Sequence, residues 1–153
     1  IGHTGICNLR LGVGKDADNL YITCKVKDGE LYSGGQGTQK GSGVFIYLDT
    51  KNECLKEPAE GVYKVWCSYK GDITVWQGNK GKWENSELEG LQITPSVVSG
   101  GYELAFTIPL NRSFNKDAMR LCATLSTKTY TETLVHSNAD RSCTWMKMNL
   151  GGH

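Results

Sequence analysis

Two tryptophans on either side of a tight turn are the residues of this sequence best suited to binding chemistry. Trp66 and Trp76 flank a Lys-Gly-Asp reversal. A three-residue loop at 70–72 would set Trp66 opposite Trp76, whereas a two-residue turn would mix apolar and polar residues on both faces. Indole rings are large, flat and apolar, and the C–H faces of pyranose rings can stack on them. The hairpin therefore predicts a sugar-stacking platform.

Polar residues accompany the two indoles on the predicted face. Lys64 and Thr74 share their side of the hairpin and could hydrogen-bond to sugar hydroxyls. Trp145 has a similar setting near the end of the chain, where alternation puts it on one side with Lys147 and Asn149. An equally open interpretation is that another layer covers this face and the tryptophans are structural.

Catalytic residues are not arranged in any recognisable pattern. His136 lies near Ser137, Asp140 and Ser142, but no Gly-x-Ser-x-Gly elbow accompanies them. The glutamates fall in polar loops, where a solvated surface explains them as well as a glycosidase pair would. We therefore expect no enzymatic activity.

Two acidic turns could hold a calcium ion. Asp16 and Asp18 lie in one turn, and Asp49 opens a second turn that also carries Asn52 and Glu53. Carboxylate and amide oxygens are the ligands that hard cations prefer. The same residue types also stabilise turns by bonding nearby amides, so both interpretations stay open. Calcium is the only cofactor that these turns predict.

The elements that must position these residues are β-strands. Apolar residues recur with a period of two and are interrupted by turn residues about every ten positions, which is typical of an antiparallel two-sheet β-sandwich, jelly-roll-like in form. The run from Val44 to Leu48 is apolar on both faces, which predicts a central strand. No linker or repeat divides the chain, so we expect one domain over residues 1–153. Further strands are predicted at 7–13, 20–26, 62–69, 73–76, 91–98, 102–109, 120–126, 131–136 and 143–150.

Composition narrows the possible partners. The chain has 17 basic and 16 acidic residues, a formal net charge of +1 and no run of like charge. Nucleic acid is a poor partner for such a surface, because phosphate binding needs clustered basic residues. No stretch reaches the roughly 18 consecutive apolar residues that a membrane span requires.

Six cysteines predict a disulfide-stabilised, extracellular protein, either secreted or on the cell surface. Their number is even and none belongs to a Cys-x-x-Cys pair, so disulfides are favoured over a zinc site. Buried, reduced thiols are the alternative. The pairing stays open, because six cysteines allow about 15 connectivities. The cysteines are Cys7, Cys24, Cys54, Cys67, Cys122 and Cys143.

Several strand motifs together resemble a known family. They are Asn19-Leu-Tyr-Ile, Lys25-Val-Lys-Asp, a glycine-rich loop, Val44-Phe-Ile-Tyr-Leu-Asp and Gly100-Gly-Tyr-Glu-Leu-Ala-Phe-Thr-Ile-Pro. In this order they are similar to the family 9 carbohydrate-binding modules and to the wider DOMON-like β-sandwiches. The resemblance implies a non-catalytic, lectin-like module of a larger protein, which clamps a glycan or polysaccharide between two tryptophans and uses calcium to hold loops.

The resemblance can be carried to individual positions. Trp145 is similar to the family's second clamp residue, and Lys64 occupies the place of its basic ligand. The first clamp tryptophan has no counterpart, since Gln39 begins the matching stretch Gln39-Lys-Gly-Ser-Gly. The predicted carbohydrate-binding set is therefore Trp66, Trp76, Lys64, Trp145, Asn149 and Gln39.

Two other functions remain open at this stage. The aromatic hairpin could meet a protein in an adhesion or interaction module, because tryptophan is favoured at both kinds of surface. Some DOMON-like domains resemble haem-b cytochromes with methionine and histidine or lysine as axial ligands, and here Met119, Met146, Met148 and His136 could supply such a pair.

Overall fold

A computed structural model describes residues 7–34, 40–128, 131–133 and 137–150 of the chain. Within these ranges the protein is built almost entirely from strands, and no helix there has the length and apolar content needed to cross a membrane. The strands are β1 (Cys7–Lys15), β2 (Asn19–Asp28), β3 (Gly43–Asp49), β4 (Val62–Ser68), β5 (Ile73–Asn79), β6 (Lys82–Asn85), β7 (Gln92–Val98), β8 (Gly101–Pro109), β9 (Ala118–Ser126), β10 (Thr131–Thr133) and β11 (Met146–Asn149), with a 3-10 turn at Ser142–Thr144.

Two antiparallel sheets form a sandwich, as the period-two pattern predicts. The smaller sheet has the order β1-β2-β8-β7. The larger sheet has the order β10-β9-β3-β4-β5-β6, and β11 also pairs with β9. Every strand pair in both sheets is antiparallel.

The hydrophobic core lies between the inward faces of the two sheets. On β2, residues Leu20 and Ile22 alternate with exposed Tyr21 and Thr23, so one face is buried and the other meets water. Strand β8 adds apolar residues to the core from the same sheet as β2, and strands β3 and β9 add them from the larger sheet. Their inward residues are Val44, Ile46, Leu48, Tyr102, Leu104, Phe106, Ile108, Met119, Leu121, Ala123 and Leu125.

Strand β3 lies in the middle of the larger sheet, between β4 and β9. All of its residues are buried except Phe45, which is partly exposed. The prediction of a strand covered on both faces is therefore confirmed. One face of β3 packs into the core, and the other carries Phe45 and Tyr47 among further aromatic rings.

The register predicted for the β4–β5 hairpin is wrong by two residues. Trp66 pairs with Thr74, and Trp76 pairs with Lys64. The turn lies one residue earlier than expected, because Ser68 and Asp72 close it around residues 69–71. The Ser68 amide donates to the Asp72 carbonyl at 3.0 Å, and the Asp72 amide donates to Ser68 Oγ at 3.1 Å. A shift of two residues keeps the parity of the strand, so both tryptophans still lie on one face.

Disulfide stabilisation is not supported by the structure. No disulfide bond is present in the described residues, which include all six cysteines. Cys24 and Cys67 are enclosed in the core, where burial raises the pKa of both thiols, that of Cys67 to about 12. Buried cysteines of this kind act as small apolar side chains, which was the alternative interpretation of the sequence.

Candidate functional site

The outward face of the larger sheet carries a cluster of aromatic side chains around one lysine. Adjacent strands assemble it, because Tyr47 pairs with Lys64 and Lys64 pairs with Trp76 across β3, β4 and β5. Alternate residues of a strand point to the same side, so each strand adds further members. This surface, called the aromatic face below, consists of Phe45, Tyr47, Lys64, Trp66, Trp76, Trp83 and Trp145.

Lys64 lies at the centre of the aromatic face. Its Nζ atom is 4.8 Å from the ring centroid of Trp76 and 5.1 Å from that of Phe45. The rings of Trp83 and Tyr47 follow at 5.8 and 5.9 Å. Cation–π attraction favours an ammonium over such rings. Burial of the half-buried side chain lowers the pKa of Lys64, while the nearby charge of Asp140 acts in the opposite direction.

Trp66 is a packed residue of the aromatic face and offers no free ring surface. It is only 1% exposed, and its ring centroid lies 4.7 Å from that of Phe45. The backbone of Gly43 passes so close that an added Cβ would collide with the indole. The Trp66 Nε1 atom has no hydrogen-bond partner in the described part of the chain. In this conformation Trp66 supports the sheet and does not reach the surface.

Trp145 is also covered, although it lies on the predicted face. It is 4% exposed, its ring centroid is 5.7 Å from that of Tyr47, and its Nε1 donates to the Asn138 carbonyl at 2.7 Å. The cover comes from the segment 137–145, which folds back over the sheet and packs Ala139 against this cluster. This segment is called the strap below.

Trp76 and Trp83 are the two indoles of the aromatic face that remain partly exposed. Trp83 lies on β6, next to the strand that carries Trp76. Its Nε1 donates to the carboxylate of Asp140, on the strap, at 2.8 Å. Two partly exposed rings, the Lys64 ammonium and the Asp140 carboxylate therefore meet at one place.

Sequence reasoning missed Trp83, because the polar residues around it in Gly81-Lys-Trp-Glu suggest a connection between strands. The strand β6 has four residues, and three of them are exposed and polar. A signal for it does exist in the sequence: the dipeptide Lys80-Gly81 forms a two-residue turn with φ of 49° and 87°, which joins β5 to β6. Such turns match the twist of the paired strands and predict a hairpin.

The remaining predicted carbohydrate ligands are more scattered. Asn149 is exposed on β11, where it pairs with Ala118, four positions beyond Trp145. Gln39 lies outside the described residues. Of the predicted ligands, Lys64, Trp66, Trp76 and Trp145 thus lie on the aromatic face, and none of the ring and cation–π contacts of this face includes Asn149.

The carboxylate of Asp16, one of the predicted calcium ligands, is engaged by its own turn. Asp16 Oδ1 accepts the amides of Asp18 and Asn19 at 2.9 and 2.8 Å. Oδ2 accepts the Tyr21 hydroxyl at 2.6 Å, and this bond together with the two amides lowers the pKa of Asp16. Asp18 itself is exposed. These contacts are the turn chemistry that the sequence left as the alternative.

Asp49, the third predicted calcium ligand, is fully buried and lies at the end of a strand of the other sheet. Its Oδ2 accepts Ser142 Oγ at 2.8 Å and the Cys54 amide at 3.0 Å, and its Oδ1 accepts the Glu53 amide at 3.2 Å. Across the described ranges, no group of three or more histidine, cysteine, aspartate or glutamate side chains could hold a metal ion. Calcium binding at these carboxylates stays a prediction.

The methionines proposed as haem ligands serve mainly as core residues. Met119 and Met148 face each other on β9 and β11 and are buried between the sheets. Met146 is exposed, and His136 lies outside the described residues. Flexible methionine side chains commonly fill irregular core space, which accounts for the buried pair.

The described part of the chain also has a concave site whose lining contains no aromatic residue. A cavity of about 350 Å³ is lined by Glu60, Gln77, Gly78, Asn79, Glu84, Asn85 and Ser86. It holds two carboxylates and no aromatic ring, and Glu84 already accepts a hydrogen bond from Asn79 at 3.1 Å. The aromatic face differs from this cavity, because it is a surface of the sheet that carries flat rings.

Comparison with known proteins gives a match at the level of structure. No protein-family model and no curated protein matches the chain. Solved structures of a family 9 carbohydrate-binding module from Caldicellulosiruptor kristjanssonii do match, one in complex with glucose and one with cellotriose. Each has a TM-score of 0.78 and 14% sequence identity and covers 99% of this chain. The match covers 80% of the first protein and 78% of the second.

The superposition extends over both sheets and almost the whole chain. The fold is similar to that of these family 9 carbohydrate-binding modules. The resemblance drawn from the strand motifs is thereby confirmed. At 14% identity the likeness to these modules concerns the fold, so ligand contacts have to be argued from the residues of this chain.

Proposed function

We propose that this chain is a non-catalytic carbohydrate-binding domain that binds sugar on its aromatic face, against Trp76 and Trp83. The observation that carries the proposal is the placement of the Lys64 ammonium 4.8 Å from one partly exposed indole and 5.8 Å from the other. Both rings stand on neighbouring strands of a sheet, so their spacing is fixed by backbone pairing and needs little ordering when a ligand arrives.

The chemistry of this cluster suits a sugar better than a purely apolar ligand. A pyranose ring can lay its C–H face on an indole while its hydroxyl groups meet polar atoms at the ring edge. Lys64 offers N–H donors, and the exposed carboxylate of Asp140 offers acceptors. Since the matched modules were solved with glucose and with cellotriose, these two saccharides are the first ligands to test.

We further propose that the domain works outside the cell, as part of a secreted or cell-surface protein. The support for this location is the even number of cysteines in the sequence, which favours disulfides and an oxidising compartment, although no disulfide is present in the described residues, which include all six cysteines. A carbohydrate-binding domain without catalytic residues is useful when it holds an attached partner domain on a polysaccharide. The location is tested by detecting the full-length protein in the medium or on the surface of the cells that express it.

The binding proposal is tested by titrating the protein with glucose and cellotriose in a calorimeter, together with a glycan array. We expect Trp76→Ala and Trp83→Ala to lose at least about tenfold in affinity, or about 1.4 kcal/mol, for any saccharide that binds. The matched control is Tyr21→Ala, which removes an exposed aromatic ring from the outward face of the other sheet. That variant should bind like the wild type.

The outcomes separate the proposal from its main alternative. Equal loss of binding in Tyr21→Ala, or unchanged binding in both tryptophan variants, would place the ligand elsewhere. Absence of binding to every saccharide would favour a protein partner on the same surface, since tryptophan is also enriched at protein interfaces.

A further inference from the structure

The strap is hydrogen-bonded to the loop that follows β3 at Leu55, next to Cys54, and Cys143 is one of the residues that make this contact. The Leu55 amide donates to Ser142 Oγ at 2.6 Å, and the Cys143 amide donates to the Leu55 carbonyl at 2.9 Å. The backbone amide and carbonyl of Leu55 are thus both hydrogen-bonded to the strap. Cys54 precedes Leu55, and Cys143 is one of the residues that bond to it, so the cysteines belong to touching backbone segments.

The buried carboxylate of Asp49 also links the loop after β3 to the strap. A single oxygen, Asp49 Oδ2, accepts both the Cys54 amide at 3.0 Å and Ser142 Oγ at 2.8 Å. Hydrogen bonds to a buried charged group are among the stronger ones in proteins. The positions of Cys54 and of the residue before Cys143 are therefore fixed relative to one oxygen atom.

This geometry suits a covalent link. Bridged cysteines have Cα atoms about 4.4–6.8 Å apart. Both thiols are free in this structure, and Cys143 is hydrogen-bonded to Leu55, the residue next to Cys54, so a small local adjustment would suffice to join them. We propose that Cys54 and Cys143 form a disulfide bond that fastens the strap to the loop after β3. The proposal does not depend on sugar binding.

Access to solvent distinguishes this pair from the thiols of the core. Cys54 is exposed and Cys143 is partly exposed, so an oxidant can reach them. Cys24 and Cys67 are buried, and burial raises the pKa of both, which keeps them as unreactive thiols. Disulfide exchange requires a thiolate and enough space for the reacting partner to approach it. The exposure of Cys54 and Cys143 provides that space.

The reaction balances with a small-molecule disulfide such as oxidised glutathione. The Cys54 thiolate attacks one glutathione sulfur, which breaks the glutathione S–S bond and releases one glutathione thiol. The Cys143 thiolate then attacks the mixed disulfide, forms the Cys54–Cys143 bond and releases the second glutathione thiol. The two protein thiols are oxidised by two electrons, glutathione disulfide is reduced, and both thiol protons end on the released glutathione.

Peptide mapping tests the link directly. The folded protein is equilibrated with reduced and oxidised glutathione, and exchange is stopped with acid. The remaining thiols are then alkylated in denaturant, and the protein is digested with trypsin without reduction. Cleavage at lysine and arginine places every cysteine in a different peptide, with Cys54 in residues 52–56 and Cys143 in residues 142–147. We expect these two peptides to appear joined, while the peptides of Cys24 and Cys67 carry the alkyl group.

Hydrogen exchange tests the mechanical consequence. The amides of Cys143, Thr144 and Trp145 are all hydrogen-bonded, and we expect them to exchange more slowly in the oxidised protein than in the reduced protein. In Cys54→Ser and Cys143→Ser, which keep a side chain of similar size, oxidant should change nothing. Alkylation of both cysteines under oxidising conditions, or a link to any other partner, would overturn the proposal. A joined peptide with unchanged exchange would show that the bond does not restrain the strap.

Discussion

Replacing Trp66 tests whether this indole supports the fold or binds ligand. Trp66 is 1% exposed, and its ring packs against Phe45 and the backbone of Gly43. Trp66→Ala would leave a cavity on this face of the sheet, because Gly43 has no side chain that could fill the space of the indole. Removal of a buried tryptophan side chain costs about 3–5 kcal/mol. For a chain of this length that loss lowers the melting temperature by roughly 6–20 °C.

The stability of Trp66→Ala is best compared with that of Trp76→Ala. Trp76 is partly exposed, so part of its ring area is already in water and the loss of stability should be about 1–2 kcal/mol. Trp66→Phe is a second control, since it keeps an aromatic ring and removes the unpartnered Nε1 donor. It should lose less stability than Trp66→Ala.

Urea unfolding followed by far-ultraviolet circular dichroism measures all three variants, because that signal does not depend on tryptophan fluorescence. We expect Trp66→Ala to have the lowest midpoint and Trp76→Ala to lose saccharide binding while staying folded. A Trp66→Ala protein that unfolds at the wild-type midpoint and has lost binding would refute the reasoning. It would mean that Trp66 lies at the surface in solution.

Three further predictions concern the surroundings of this cluster. Asp49→Ala removes the acceptor for three donors and should cost about 3 kcal/mol or more in urea unfolding, while Asp49→Asn, which keeps one acceptor oxygen, should cost less. Gly43→Ala should lower the urea midpoint, because its Cβ would collide with the Trp66 ring; a wild-type midpoint would contradict the packing described here. Burial lowers the pKa of Lys64 below its ordinary 10.5, so the folded protein releases this proton at lower pH than the unfolded chain does. Between those two pKa values wild-type stability should therefore rise with pH relative to Lys64→Met, and parallel pH profiles would argue against a desolvated lysine.

Much of the architecture could be predicted from the sequence because strand patterns are local. Alternation along β2 identifies its buried face, and the run from Val44 to Leu48 identifies a strand with neighbours on both sides. Trp66 and Trp76 could be placed on one face even though their register was wrong by two residues. A register error of two residues leaves each side chain on its predicted face, because alternate residues of a strand point to the same side.

Exposure could not be predicted, because it is set by contacts between distant parts of the chain. The strap covers Trp145 and anchors Trp83 through Asp140, a partner 57 residues away in sequence. Asp49 looks like a metal ligand in its own turn, but Ser142, 93 residues away, donates to it. The sequence by itself determined most of the strands and placed Trp66 and Trp76 on one side, since both follow from a local period of two. Only the tertiary structure decided which rings stay accessible, because a surface is covered by whatever segment folds onto it, and no local pattern records that segment.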